Sequence, residues 1–196
     1  MRKPYAERIL MSGKITVFTG PMFSEKTTHL LSAYRRSVRG NRTVLVIKPR
    51  IDRRYDPEKI ISHNGEEVLA RLVDKAEGIY DIFGSMKYGI KDVFIDEAQF
   101  IPNLSEVLVW LSRTGSNVYV SMLDLKSDGK PFETSSDVFA VADKIVKLTA
   151  VCTRCNSDAT RSFRKNPEDK GDIVLGGKGE YEAMCLDCFS KNMSEQ

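Results

Sequence analysis

The sequence predicts an α/β fold: a mostly parallel sheet flanked by helices, with a small metal-stapled appendage near the C-terminus. Three observations predict it. Residues 14–48 read as strand, glycine-containing loop, helix and strand, the βαβ unit of such folds. VFID at 93–96 is a short apolar run followed by Glu97, so an acidic pair stands at the strand end where ligands bind in α/β sheets. Two C-x-x-C pairs, Cys152/Cys155 and Cys185/Cys188, bracket a polar stretch.

The elements follow in chain order. Residues 1–11 are expected to be an extension outside the fold; MRKPYAERIL is charged and lacks the apolar centre of a secretory signal, although its basic character would also suit a targeting peptide. KITVFT (14–19) is a β-branched, apolar strand that ends at Gly20. Residues 26–39 place Leu30, Leu31, Tyr34 and Val38 at helical spacing, and Gly40 stops the helix. TVLVIK (43–48) is a second strand, ended by Pro49. The Arg- and Asp-rich 50–66 reads as a loop, VLARLV (68–73) as one short strand, and 74–87 as weakly helical. VFID is the third buried strand; 103–113 is a helix with Asn103 as its N-cap. NVYVSMLD (117–124) is a strand, 128–133 a loop, 136–143 a helix, and KIVKLTAV (144–151) the last strand of the main domain. Residues 12–150 are therefore expected to form one α/β domain, 151–190 a metal-binding domain with short β-like runs at 159–163 and 180–184, and 191–196 a disordered tail.

Size and charge set outer limits. A chain of 196 residues can bury a core without disulfides. The net charge of +3, from 30 Lys+Arg against 27 Asp+Glu, supplies no argument for nucleic acid or a membrane surface as partner. No apolar run is long enough to cross a bilayer. Without an export signal the expected compartment is the cytoplasm, where four cysteines serve as ligands rather than as disulfides.

The chemistry is concentrated in three places. GPMFSEKTT (20–28) nearly spells the phosphate-binding loop G-x-x-x-x-G-K-[ST]. Backbone N–H groups of Gly20, Pro21, Met22, Phe23, Ser24, Glu25, Lys26 and Thr27 (proline excepted) would converge on a polyphosphate at the helix N-terminus. Lys26 would reach the β- and γ-phosphates, and the Thr27 hydroxyl would ligate Mg²⁺. Asp96 could hold the same Mg²⁺, and Glu97 could take a proton from an attacking hydroxyl. Cys152, Cys155, Cys185 and Cys188 present four thiolates, which suits a tetrahedral, structural Zn²⁺. The nearby Arg154, Arg161, Arg164 and Lys165 would also suit a nucleic-acid-binding ribbon, but the main domain lacks aromatic-basic interleaving.

Seven stretches carry a resemblance: GPMFSEKTT (20–28), KPRIDRRY (48–55), FIDEAQF (94–100), LD…GKPFE (123–133), LTAVCTRC (148–155), GGKGEY (176–181) and CLDC (185–188). Taken together and in this order, they resemble the type II, cytosolic and zinc-containing, thymidine kinase family over roughly residues 12–190. The resemblance implies a RecA-like P-loop domain and a zinc-bearing lasso domain. It implies transfer of the γ-phosphoryl of ATP to the 5′-hydroxyl of thymidine or deoxyuridine, in nucleotide salvage. Glu97 would be the general base, Lys26 and Arg54 would act on the phosphates, and Asp52 would lie beside the substrate. Met22, Phe100, Leu123, Phe132 and Tyr181 fall on positions of the apolar base pocket, with backbone near Gly176 on the thymine edge. A homotetramer is implied as well.

Two departures stand out. Glu25 replaces the second glycine of the loop. A carboxylate ~5 Å from a phosphate charge at an effective dielectric of ~20 is opposed by roughly 3 kcal/mol. Glu25 could occupy the anion site itself, or point outward and leave the amides in place; an inactive or weakly active nucleoside-binding relative is the alternative reading. The segment Leu125–Gly129 also lacks the aromatic that the family carries near Ser127.

Overall fold

The computed structural model describes residues 12–52, 58–61, 65–87, 89–166 and 179–194. The expected extension over 1–11 lies outside them. The chain starts with β1 (Ile15–Thr19), α1 (Lys26–Arg39) and β2 (Val44–Pro49). Next come β3 (Lys59–Ile61), β4 (Glu67–Leu69), β5 (Arg71–Val73), α2 (Gly78–Ser85) and β6 (Asp92–Ile95). A 3₁₀ turn, Ala98–Phe100, precedes α3 (Leu104–Arg113), β7 (Asn117–Met122), α4 (Glu133–Val141) and β8 (Lys144–Lys147). Two short hairpins and a helix complete the chain: β9 (Ala150–Val151) with β10 (Asp158–Ala159), β11 (Arg161–Arg164) with β12 (Tyr181–Met184), and α5 (Leu186–Ser194).

Six strands form one sheet in the order β5-β2-β6-β7-β1-β8, and every pairing in it is parallel. Both faces are covered, as parallel sheets require. On one face, Leu30 and Leu31 of α1 pack on Val46 and Phe94. On the other, α2, α3 and α4 supply Ile79, Leu108, Leu111 and Val138 to a core with Ile15, Val17, Ile47, Ile95, Val118 and Val120. The alternation in β1 follows from this: Ile15 and Val17 face the larger core, and Phe18 turns toward α1. The register puts Val17, Val120, Ile95 and Ile47 in one row, so four strands end at one edge.

Several sequence expectations are corrected. The run 68–73 is two strands: β4 pairs antiparallel with β3, and β5 joins the main sheet beside β2. Residues 50–66 therefore include strand β3. The fourth helix begins at Glu133 rather than 136. KIVKLTAV divides into β8 and β9, because the first part pairs parallel with β1 and the second antiparallel with β10. Asn103 stands at the start of α3 in the left-handed region (φ 59°), but its side chain makes no capping hydrogen bond. The tail is helical through Ser194, with Phe189 packed among Phe163, Ala183 and Met184.

Beneath the opposite sheet edge, buried Asp92 accepts hydrogen bonds from Arg42, by Nη2 at 2.8 Å and from Nε, and from Asn117 Nδ2 at 2.9 Å. Burial would raise the pKa of its carboxyl; the bonds from Arg42, Asn117 and Ser37 outweigh that and hold it below its ordinary value. A lowered folded pKa gives stability that is complete above the unfolded value near ~3.9 and is lost as pH falls through the folded one. Asp92→Ala should lower urea stability at pH 7 by about 2 kcal/mol. The gap to the parent should close below roughly pH 4.

Candidate active site

The loop after β1 is built on backbone that few residues adopt. Gly20 has φ 145°, and a Cβ there would stand 2.3 Å from Leu148 O. Phe23 (φ 66°) and Glu25 (φ 61°) are both left-handed, a conformation that opposes an L side chain by roughly 1–2 kcal/mol. Glu25 thus adopts at α1's N-cap the backbone that a glycine would adopt freely. Its side chain is exposed and makes no hydrogen bond to the first amides of α1. Lys26 is buried; its Nζ donates to Pro21 O at 2.6 Å, and Ser24 Oγ donates to the same oxygen at 2.8 Å.

The acid pair meets this loop. Thr27 Oγ1 lies 3.2 Å from Asp96 Oδ2 and 3.3 Å from Oδ1, across 69 positions of sequence. Asp96 is buried and its N–H donates to Ile47 O at 3.0 Å, so strand β2 helps to set it. A hydroxyl and a carboxylate at this separation are hard oxygen donors, which fits Mg²⁺. Glu97 is again left-handed (φ 51°). Among the described residues, left-handed non-glycine residues other than asparagine are Phe23, Glu25 and Glu97. All three flank the Thr27–Asp96 contact, which is where backbone strain is expected to collect at a working site.

Of the residues expected around a base pocket, the Phe100 and Phe132 rings meet edge to face at 6.1 Å. Lys126 Nζ lies 5.9 Å from the Phe132 ring centroid. Leu123 and Met22 are half-buried; Phe132 and Tyr181 are buried. Tyr181 pairs with Arg164 across the β11–β12 hairpin, and Ser162 of the same hairpin accepts the Met22 N–H at 2.9 Å. Phe23 packs against the small core that contains Phe163, Met184 and Phe189. The phosphate-type loop is thus seated directly on the C-terminal module. Asp52, buried, is ion-paired with buried Lys48 at 3.1 Å. Arg54 and Gly176 lie outside the described residues.

The four cysteines converge: their Sγ atoms all lie within 4.8 Å of one another, with Cys155 and Cys185 3.7 Å apart. Four sulfurs about 2.3 Å from a tetrahedral zinc would be about 3.8 Å apart, so the set fits that ion. The Cys188 N–H points at Cys185 Sγ at 3.5 Å. Burial opposes ionisation of Cys152, yet N–H donors from Cys185, Arg154 and Cys155 outweigh it and bring the thiol down to about 6. The shared hydrogen bond with Cys185, with burial, pushes Cys188 up to about 12. Crowded sulfurs compete for protons that a cation would replace.

Sequence reasoning passes over Gln99, Ser162 and Lys48. FIDEAQF and KPRIDRRY stand in view, but a neutral amide or a lysine in a run of charges carries no signal until its partner is known. Gly20→Ala should lower stability by roughly 1–3 kcal/mol, since both the backbone angle and Leu148 O oppose a Cβ; a urea titration measures it.

Comparison with known proteins gives the family. The chain matches the family described as thymidine kinase over residues 13–189. It is 35% identical over 187 residues to the thymidine kinase of Pseudothermotoga lettingae, covering 94% of this chain and 99% of that one. It is 38% identical over 181 residues to that of Thermococcus kodakarensis, covering 88% and 92%. With that of Bacteroides thetaiotaomicron it shares 34% over 184 residues, covering 93% and 90%. The chain that sets a lysine-bearing loop against an acid pair, and docks it on a four-cysteine module, belongs to the thymidine kinase family.

Proposed function

We propose that this protein transfers the γ-phosphoryl of ATP to the 5′-hydroxyl of thymidine or deoxyuridine. The observation that carries the proposal is the Thr27–Asp96 contact at 3.2 Å, with Glu97 the next residue. In this reading the loop amides hold the triphosphate, and Lys26 leaves Pro21 O for the phosphate oxygens. Thr27 and Asp96 would hold Mg²⁺. When bound, that ion would neutralise charge on the phosphate oxygens.

Glu97 accepts the proton of the 5′-hydroxyl as that oxygen bonds to the γ-phosphorus. The bond from the γ-phosphorus to the β–γ bridging oxygen breaks, and ADP leaves. Arg54 neutralises the transferring group, and Asp52 lies beside the substrate. Met22, Phe100, Leu123, Phe132 and Tyr181 would enclose the base, and Gly176, outside the described residues, would offer its backbone to the base edge. The ring pair Phe100–Phe132 supplies the apolar wall, while the family's aromatic near position 127 is absent. The exposed carboxylate of Glu25 leaves the loop amides to the nucleotide, which favours an active enzyme over an inactive relative.

The four thiols would hold one structural Zn²⁺. That ion would fix the module against which Phe23 and Met22 rest. No described helix is long and apolar enough to cross a membrane; reduced cysteines suit the cytoplasm. We propose a homotetramer as the assembly: Val38 on α1 and, on the opposite side of the sheet, Ile145 in register with Val17 stay 44% and 45% exposed and are apolar residues that subunit contacts would cover.

Mg-ATP with thymidine should yield the monophosphate and ADP. Glu97→Gln should lower kcat by at least about 100-fold. Glu25→Gly should lower the KM for ATP several-fold, about 1 kcal/mol, because solvent screens most of the opposing charge. Absence of product from parent and Glu25→Gly, with thymidine bound by both, would end the kinase reading. Elemental analysis should find one zinc per chain. Stripping it with a strong chelator should lower Tm, as measured by calorimetry, and release the C-terminal module to protease.

A further inference from the structure

Gln99 follows Glu97 by two positions and is 5% exposed. A buried amide must use its donor and its acceptor. Here each partner dictates one end. The Leu123 N–H can only donate, and it does so to Gln99 Oε1 at 3.0 Å. Nε2 must then face the carboxylate, and it donates to Glu97 Oε2 at 2.6 Å. The orientation of the amide is therefore dictated by chemistry at both ends.

The Leu123 peptide is held on its other side too. Its carbonyl accepts from Ser135 Oγ at 2.5 Å, and the Ser135 N–H donates to Phe132 O at 3.1 Å. Phe132 in turn meets Phe100, the last residue of the turn that Glu97 begins. A closed circuit runs from the Glu97 carboxylate through Gln99, Leu123, Ser135 and Phe132 back to the same turn. Glu97 sits in a left-handed backbone conformation; the circuit supplies restraint that the local chain does not.

We propose that Gln99 is a positioning residue: its amide sets the rotation of the Glu97 carboxylate and ties it to the peptide of Leu123. This rests on the reading that Glu97 is the base. Leu123 and Phe132 are walls of the proposed nucleoside pocket, so a base seated between them presses on the same peptide that holds Gln99. Occupancy of the pocket and alignment of the proton acceptor are then mechanically linked. A misplaced acceptor forfeits transition-state geometry without weakening ground-state binding.

The test uses Gln99→Leu and Gln99→Glu beside the parent and Glu97→Gln. Gln99→Leu should lower kcat roughly 100-fold, with both KM values within about threefold of the parent. Gln99→Glu should be worse at pH 9, where two carboxylates face each other. Its activity relative to the parent should rise as pH falls, because the introduced carboxyl, once protonated, can donate to Glu97 as the amide did. Folding damage from the glutamate would not give that pH profile. Parent-like kcat in both variants, while Glu97→Gln is inactive, overturns the proposal. A crystal structure of Gln99→Leu supplies a readout independent of turnover: the Glu97 carboxylate should be rotated from its parental position. An unmoved carboxylate overturns the proposal even if the parent proves not to be a kinase.

Discussion

Everything at the site depends on the parallel register of four neighbouring strands. A parallel sheet sends every strand toward the same edge, and the row of Val17, Val120, Ile95 and Ile47 fixes how far each one reaches. Strand β6 lies two places from β1, so Asp96 starts roughly 10 Å from the line of β1. The loop that follows β1 and the first turn of α1 cross that gap, and Thr27 arrives at hydrogen-bonding distance from Asp96. A slip of one residue in either pairing would turn Asp96 toward the opposite face. The apolar residues in the row prevent such a slip, because their burial against α2, α3 and α4 is tied to the same alternation.

The loop itself depends on more than the sheet. Three non-glycine residues around it hold left-handed backbone, and that strain persists only where the surroundings restrain it. For Phe23 the restraint is visible: its ring joins the core of the four-cysteine module, and the neighbouring Met22 N–H is bonded to Ser162. The module is therefore a support for the loop that follows β1. For Glu97 the carboxylate is held by the Gln99 amide. For Glu25 no side-chain capping bond supplies restraint, which is consistent with glycine being the residue that the position accommodates at least cost.

Much of this is legible in the residues alone. The first strand, the loop, α1, β6 and the two cysteine pairs all follow from runs of apolar residues and short spacings. Those signals are local: a buried strand needs only its own side chains to be apolar, and two knuckles need only their own spacing. The role of Glu25 is undecidable at that level, since the direction of a side chain at an N-cap depends on a φ angle and not on composition. The 68–73 run reads as one strand because its apolar residues are interrupted only by Arg71; the change of partner from β3 to β2 leaves no mark on it. The tail misleads for a related reason. Its polarity resembles that of a free end, yet Phe189 helps to anchor it through Phe163, on a strand that precedes it by a long stretch of chain.

Residue types and short-range periodicity are enough to name the chemistry: a lysine loop, an oxygen pair, a carboxylate, and a thiol cluster. Placing them needs the folded chain, because their spacing in space is set by strand order and register, which are long-range pairings. Gln99 shows the difference most clearly. Nothing in FIDEAQF marks its amide as more than one polar residue among several, and its meaning comes from Leu123, 24 positions away, whose N–H dictates which way the amide must face.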